Sequence, residues 1–134
     1  MEINANIIFC NDVIVNSSNN KKTPGILGPL KSITPRNIPG NYTFSIFLSI
    51  ENVSQEYKEL KNEIYNTENI KVFDTGIIKL ETLNFNKQNK VYFPIVLTTE
   101  LRNIVIEKPG CFTAKVLLDG QTIAEEKLTV KSQL

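Results

Sequence analysis

Residues that could carry out chemistry are few in this sequence. It contains no histidine, so it lacks the usual general base of serine and cysteine nucleophiles and every histidine-containing zinc site. Its two cysteines, Cys10 and Cys111, stand near opposite ends of the chain and form no C-x-x-C motif. A catalytic cysteine without a histidine would need an unusual activator. We therefore predict that the protein is not an enzyme and has no cofactor and no metal site.

The two thiols are predicted to be a buried, unlinked pair, because the sequence indicates a reducing compartment. The chain begins Met-Glu-Ile-Asn, without the basic and apolar regions of a secretory signal, so a cytoplasmic location is expected. A disulfide between Cys10 and Cys111 is the alternative, and it would accompany a secreted or virion-surface protein.

Carboxylates are the remaining candidates for acid–base chemistry. Asp74 and Asp119 stand close to glycines, where the geometry of a turn is sufficient to explain an aspartate. Glu125 and Glu126 fall on a predicted outer strand, where charge discourages pairing with another chain. None of these four residues is predicted to belong to a catalytic site.

Asn11 and Asp12 are the two consecutive polar residues that the predicted fold explains least. They follow the first strand, where a local Asx-type turn is the simpler interpretation. A contact with a ligand is the alternative, and these are the two candidate site residues of the sequence.

No feature indicates a nucleic-acid or membrane partner. The formal net charge is +1, which gives no field that would attract a polyanion. The segment Gly25-Ile26-Leu27-Gly28 has the spacing of the G-x-x-G loop of KH domains, but Pro29 follows it and no basic cluster accompanies it, so a bulge or tight turn is predicted. No segment reaches the roughly 20 apolar residues of a membrane span.

The C-terminal quarter predicts a β-hairpin. Asp119-Gly120 separates two apolar runs and suits a two-residue type I′ turn, in which both central residues have positive φ. Pro109-Gly110 precedes the first strand. The alternation of the two strands assigns these residues to inward faces: Phe112, Ala114, Val116 and Leu118, then Ala124, Leu128 and Val130.

Alternating apolar residues predict further strands along the chain. Their approximate ranges are 3–9, 25–33, 42–50, 77–85 and 91–97. The first strand is expected to continue after a kink at 11–12, and the second to be broken at Gly28-Pro29. A turn is expected at 86–89, and residues 100–106 are a weak strand or a connector. Pro94 predicts an edge or a bulge, whereas 77–85 is apolar on both faces, as in a central strand.

Residues 55–66 are ambiguous. Tyr57, Leu60 and Ile64 have helical spacing, but Leu60, Asn62 and Ile64 alternate as a strand does. We favour strand, turn, strand, and a short helix near 55–66 is the alternative. About eight or nine strands predict an all-β fold, an immunoglobulin-like antiparallel β-sandwich that forms a single domain over residues 1–134.

The two ends of the chain resemble an uncharacterised bacterial family of small single-domain proteins. The similarity is carried by Phe9-Cys10-Asn11-Asp12-Val13, Gly25-Ile26-Leu27-Gly28 and Pro39 at the start, and by Pro109, Gly110, Phe112, Asp119 and Gly120 at the end. The resemblance implies a β-sandwich in the bacterial cytoplasm and brings no activity, because the family has no known function. The chain departs from it at 55–69, where helical spacing is stronger than expected.

Three functions are compatible with these observations. The first is a non-enzymatic protein-interaction or structural module, which binds a protein partner or self-associates. The second is a small-molecule or carbohydrate binder, or a hydrolase, with carboxylates near Asn11 and Asp12 or the loop 35–40; converging carboxylates in a deep pocket would favour it. The third is a secreted or virion-surface adhesion-type sandwich.

Overall fold

The computed structural model describes residues 2–18, 21–83 and 92–133. These ranges form ten strands and one 3-10 turn, Leu80–Leu83. The strands are β1 (Asn4–Ser18), β2 (Lys21–Leu30), β3 (Ser32–Ile33), β4 (Gly40–Ser54), β5 (Glu59–Tyr65), β6 (Lys71–Asp74), β7 (Ile78–Lys79), β8 (Tyr92–Ile106), β9 (Gly110–Leu118) and β10 (Gln121–Val130). No helix in the described ranges is long and apolar enough to cross a membrane.

Two sheets pack face to face. One has the order β2-β1-β4-β8 and the other the order β3-β10-β9-β5-β6, with β7 also paired to β5. Every described pairing is antiparallel except the two-residue pairing of β3 with β10. The predicted all-β sandwich is therefore confirmed, and its immunoglobulin-like subtype stays a prediction.

The core lies between the sheets, and alternate residues of β4 and β9 contribute to it from the two sides. Burying each such side chain contributes about 1.5–3 kcal/mol, which fixes the register of both strands, since a slip of one residue would expose every one of them. The fully buried positions include Phe44, Ile46, Leu48 and Ile50 of β4 and Ala114, Val116 and Leu118 of β9.

The C-terminal hairpin has the predicted form. Gln121 pairs with Leu118 across a two-residue turn, and φ is 49° at Asp119 and 80° at Gly120, as a type I′ turn requires. Leu128 and Val130 are buried as expected. The register shifts between Thr122 and Ala124.

Residues 55–66 contain no helix, so that alternative was wrong and the strand–turn–strand prediction is confirmed. Leu60, Asn62 and Ile64 are all buried, because β5 pairs with β9 on one side and with β6 and β7 on the other. In the turn, the Asn66 side-chain oxygen accepts hydrogen bonds from the backbone N–H groups of Glu68 and Ile70, both at 2.9 Å. Tertiary pairing thus prevails over local helical spacing.

Three boundary predictions need correction. The central strand expected over 77–85 is only the two-residue β7, which is followed by the 3-10 turn. β2 does not break at Gly28-Pro29 but runs to Leu30, and the chain crosses to the other sheet at Lys31. Of the two alternatives for residues 100–106, the strand is confirmed and the connector is wrong, because β8 continues to Ile106. The turn predicted at 86–89 lies outside the described residues.

Candidate functional site

Asn11 and Asp12 lie within β1, and the predicted kink and Asx-type turn are wrong. β1 runs without interruption, and its pairs Cys10–Pro29 and Asp12–Leu27 keep one register. Both residues are exposed. A Cβ added at Gly28, where φ is +63°, would collide with the side chain of Asn11. Gly28 therefore leaves room for Asn11, and a ligand contact at Asn11 and Asp12 stays a prediction.

The two cysteines are free, as predicted, but they are not a buried pair. Cys10 is buried in the four-stranded sheet, and its thiol donates to the Ser45 carbonyl at 3.5 Å. Burial, and then the negative charge of Asp12, raise the pKa of the Cys10 thiol. Cys111 is exposed in the other sheet, because it falls on the outer face of β9. The disulfide alternative is wrong.

Asp119 has a role beyond its turn. Its Oδ1 accepts hydrogen bonds from the backbone N–H groups of Lys58 at 3.0 Å and Glu59 at 2.8 Å. Its own N–H donates to the Glu59 carbonyl at 2.9 Å. These bonds attach the tip of the β9–β10 hairpin to the start of β5. The sequence has no local signal for them, because the partners are 60 residues apart.

A cavity of about 700 Å³ lies beside this attachment. Its lining includes the aromatic side chains of Tyr57 and Phe93. It also includes four charged side chains, those of Lys58, Lys79, Glu59 and Glu81. Its volume is within the range of small-molecule sites, about 300–1,000 Å³. Sequence reasoning selected none of these six residues for a site.

The cavity lining is fixed by backbone pairing. The N–H of Leu80 donates to the Lys58 carbonyl at 2.9 Å, and Glu59 pairs with Lys79 across β5 and β7. Together with the bonds of Asp119, this pairing holds the backbone that carries the two lysines and Glu59. The predicted candidates Asn11 and Asp12 are not among the residues that line the cavity.

A charged network covers the outer face of β5 and β6. The Tyr65 hydroxyl donates to Glu63 Oε1 at 3.0 Å, and the ammonium groups of Lys61 and Lys71 lie 3.3 and 3.4 Å from Glu63 Oε2. Lys71 also pairs with Asp74 at 3.0 Å. Burial alone would raise the pKa of Glu63, but the hydrogen bond from Tyr65 and the two lysines together lower it.

Asp74 combines this ion pair with a turn, as predicted. Hydrogen bonding to Lys71, and then the N–H of Gly76 at 2.7 Å, lower the pKa of Asp74. On the neighbouring strand, the Lys115 ammonium lies 4.6 Å from the centre of the Tyr65 ring, a cation–π contact. The network is built from mutually satisfied charges, so we assign it to stability.

The outer strands differ in the charge that they carry. β10 pairs with β3 only at Thr129 and Val130, and Glu125 and Glu126 are exposed on it, as the prediction of a charged outer strand required. β8 is the last strand of its sheet in the described residues, which confirms the edge predicted from Pro94. Its stretch 95–99 is Ile-Val-Leu-Thr-Thr, without charge.

The model of a family of unknown function, DUF6941, matches residues 6–131. This chain belongs to that family. No curated protein matches it. The predicted membership of an uncharacterised family is confirmed, whereas the bacterial origin stays a prediction.

The DUF6941 match assigns no activity, ligand or partner. Within the described ranges of this DUF6941 chain, no three cysteine or acidic side chains are grouped as metal ligands would be. The cavity and the edge of β8 are therefore the two features from which a function can be argued.

Proposed function

We propose that this chain is a non-enzymatic interaction module that self-associates through the edge of β8. The observation that supports it is the edge itself. β8 has 15 residues, and within the described part of the chain its only paired neighbour is β4. A long edge strand with an uncharged stretch, here 95–99, presents unpaired backbone groups that can pair with another strand.

The side chains of this edge are compatible with a second strand. Val96 is 51% exposed, and Thr98 is exposed beside it. In antiparallel pairing about a twofold axis at Leu97, Val96 would lie opposite Thr98 of the partner subunit. Such β-branched cross-strand pairs stabilise sheets, and a twofold dimer is the commonest assembly.

The charges near this stretch favour a second copy as the partner. Arg102 donates to both carboxylate oxygens of Glu100, at 2.8 and 3.4 Å, so two edges would meet without net repulsion. The edge of β10 differs, because Glu125 lies 3.8 Å from the Lys115 ammonium but the adjacent, exposed Glu126 adds a negative charge where two such edges would meet.

The test is sedimentation over a range of concentrations. We expect the wild-type chain to shift from 15.2 kDa toward twice that mass as concentration rises. Val96→Lys should remain at the monomer mass, since it places a charge at the centre of the edge. Val105→Lys is the matched control, because Val105 is 55% exposed on the same strand but outside 95–99.

A wild-type chain that remains a monomer at every concentration would overturn the proposal. Equal association of the wild type and Val96→Lys would do the same, since the contact would then lie elsewhere.

We further propose that the module is not catalytic and acts in the cytoplasm. The lack of histidine supports the first point. Two free thiols, one of them exposed, support the second, because disulfides are rare in reducing compartments. Cell fractionation that recovered the chain from a secreted fraction would contradict the location.

A further inference from the structure

We propose that the cavity beside the hairpin tip binds a neutral saccharide. This inference does not depend on self-association through β8. It rests on the aromatic, lysine and glutamate side chains in the lining, on the balance of their charges and on the fixed backbone that carries them.

The aromatic part of the lining suits one face of a sugar ring. Tyr57 is half-buried, packs against the core and lines the cavity, whereas Phe93 lines it with little of its surface, since it is only 8% exposed. Both rings are thereby held by their neighbours. The C–H face of a pyranose is apolar and gains many weak dispersion contacts against such rings.

The polar part of the lining suits hydroxyl groups. Lys58 and Lys79 supply donors, and Glu59 and Glu81 supply acceptors. A sugar hydroxyl both donates and accepts, so it can use both kinds of group. An alkyl or aryl ligand would displace water from these groups and offer them no hydrogen bond in exchange, at a cost of desolvation.

The charge balance separates a neutral ligand from an anion. Among the described residues of the lining, the two lysines are matched by two glutamates, so these side chains together have no net charge to attract a phosphate or a carboxylate.

The backbone of the site is formed before any ligand arrives. The hydrogen bonds from Lys58 and Glu59 to Asp119 and the pairing of Glu59 with Lys79 fix three of the four charged positions. A prearranged site loses less entropy on binding than a flexible one.

The experiment is an NMR titration of the full chain with four sugars: glucose, galactose, N-acetylglucosamine and maltose. Each is added to about 50 mM, so that dissociation constants in the millimolar range can be measured. We expect at least one of the four to shift the amide signals of residues 54–59, 79, 81 and 93 in a saturable manner. Inorganic phosphate, titrated separately, should leave them unchanged.

Two variants test the assignment. Glu81→Gln should weaken the binding of that sugar about tenfold, the effect of one lost hydrogen bond to a charged group. Glu107→Gln is the matched control, because Glu107 is also exposed and does not line the cavity. Tyr57→Leu should weaken binding, because it removes an aromatic ring from the lining. The amide NMR spectrum of this variant without ligand shows whether it is folded.

Saturable shifts with phosphate and none with the sugars would assign an anion site and overturn the proposal. So would no shift with any of the five compounds, or equal affinity of Glu81→Gln and the wild type. None of these readouts depends on the mass of the protein, so failure here is distinct from failure of self-association.

Discussion

The edge of β10 and the edge of β8 have opposite surface chemistry. β10 carries Glu125 and Glu126, both exposed, and a register shift near Thr122, two features that discourage pairing with another chain. β8 carries Pro94 and, after the stretch 95–99, the Glu100–Arg102 pair, while the stretch itself has no charge. Among the described residues, the difference is that one edge carries charge and the other, over 95–99, does not.

The same two regions differ in how they are attached to the rest of the molecule. The β9–β10 hairpin is fixed by a buried inner face and by three hydrogen bonds between Asp119 and residues 58 and 59. β8 also buries an inner face, for example Ile95 and Leu101, and it pairs with β4. The side-chain hydrogen bond that attaches it to a distant segment is the one from the backbone N–H of Asn103 to the Thr43 hydroxyl at 3.0 Å. The following variants test whether the hairpin carries more of the stability.

The largest effect is expected from the inner face of β9. Phe112 is 2% exposed, so Phe112→Ala should lower the free energy of unfolding by about 3–5 kcal/mol through lost burial and a cavity. Val96→Ala on β8 should change it by less than about 0.5 kcal/mol. Urea denaturation of the two variants, at concentrations where the protein is a monomer, measures the difference. Similar losses of unfolding free energy in the two variants would mean that the Val96 side chain is packed as tightly as that of Phe112.

A smaller effect is expected from the tip of the hairpin. Asp119→Ala removes the acceptor of two backbone N–H groups and should cost about 1–3 kcal/mol. Thr43→Val on β4 removes the exposed hydrogen bond from the Asn103 N–H of β8 and should cost about 0.5–1.5 kcal/mol. Asp119→Asn is the control, since asparagine keeps an acceptor oxygen and tolerates positive φ. If Asp119→Ala unfolds at the wild-type urea concentration, the attachment does not stabilise the fold.

The smallest effect is expected from the charged network beside the hairpin, and it depends on pH. In the folded state the pKa values of Glu63 and Asp74 are lowered, so they lie below the unfolded values of about 4. The stability that these carboxylates contribute is present above the unfolded pKa values and is lost as pH falls through the folded ones.

Glu63→Gln should therefore reduce the dependence of stability on pH in the acid range. Glu100→Gln is the control on β8, because its ion pair is exposed, with side chains 75% and 50% accessible. Urea unfolding measured at several pH values from about 6 to 3, a window that includes ordinary carboxyl titration, provides the comparison. A larger effect of Glu100→Gln would contradict the assignment of the acid-sensitive charges to β5 and β6.

The sequence predicted those elements whose geometry is local. A two-residue turn of Asp119 and Gly120 with alternating neighbours has few alternative structures, and the alternation over 42–50 correctly predicted a strand there, which lies within β4. The prediction over 77–85 failed because apolar residues on both faces do not distinguish a central strand from a short strand followed by a 3-10 turn.

The candidate site depended on contacts between distant segments. The pair Asn11 and Asp12 was selected for its local polarity, yet its strand continues through it because β2 pairs alongside. The cavity is instead lined by the segment 57–59 together with Lys79, Glu81 and Phe93. The spacing of residues within any one of these segments could not have predicted that they lie close together.

The sequence by itself determined the all-β class, the C-terminal hairpin, the inward face of β9 and the absence of histidine chemistry. Alternation and turn conformation act over a few residues, so they can be read directly. Only the tertiary structure decided between strand and helix at 55–66, attached Asp119 to residues 58 and 59, and brought residues 57–59 beside Lys79, Glu81 and Phe93. Those outcomes depend on pairing between segments far apart in the chain, where burial and backbone hydrogen bonding outweigh local preference.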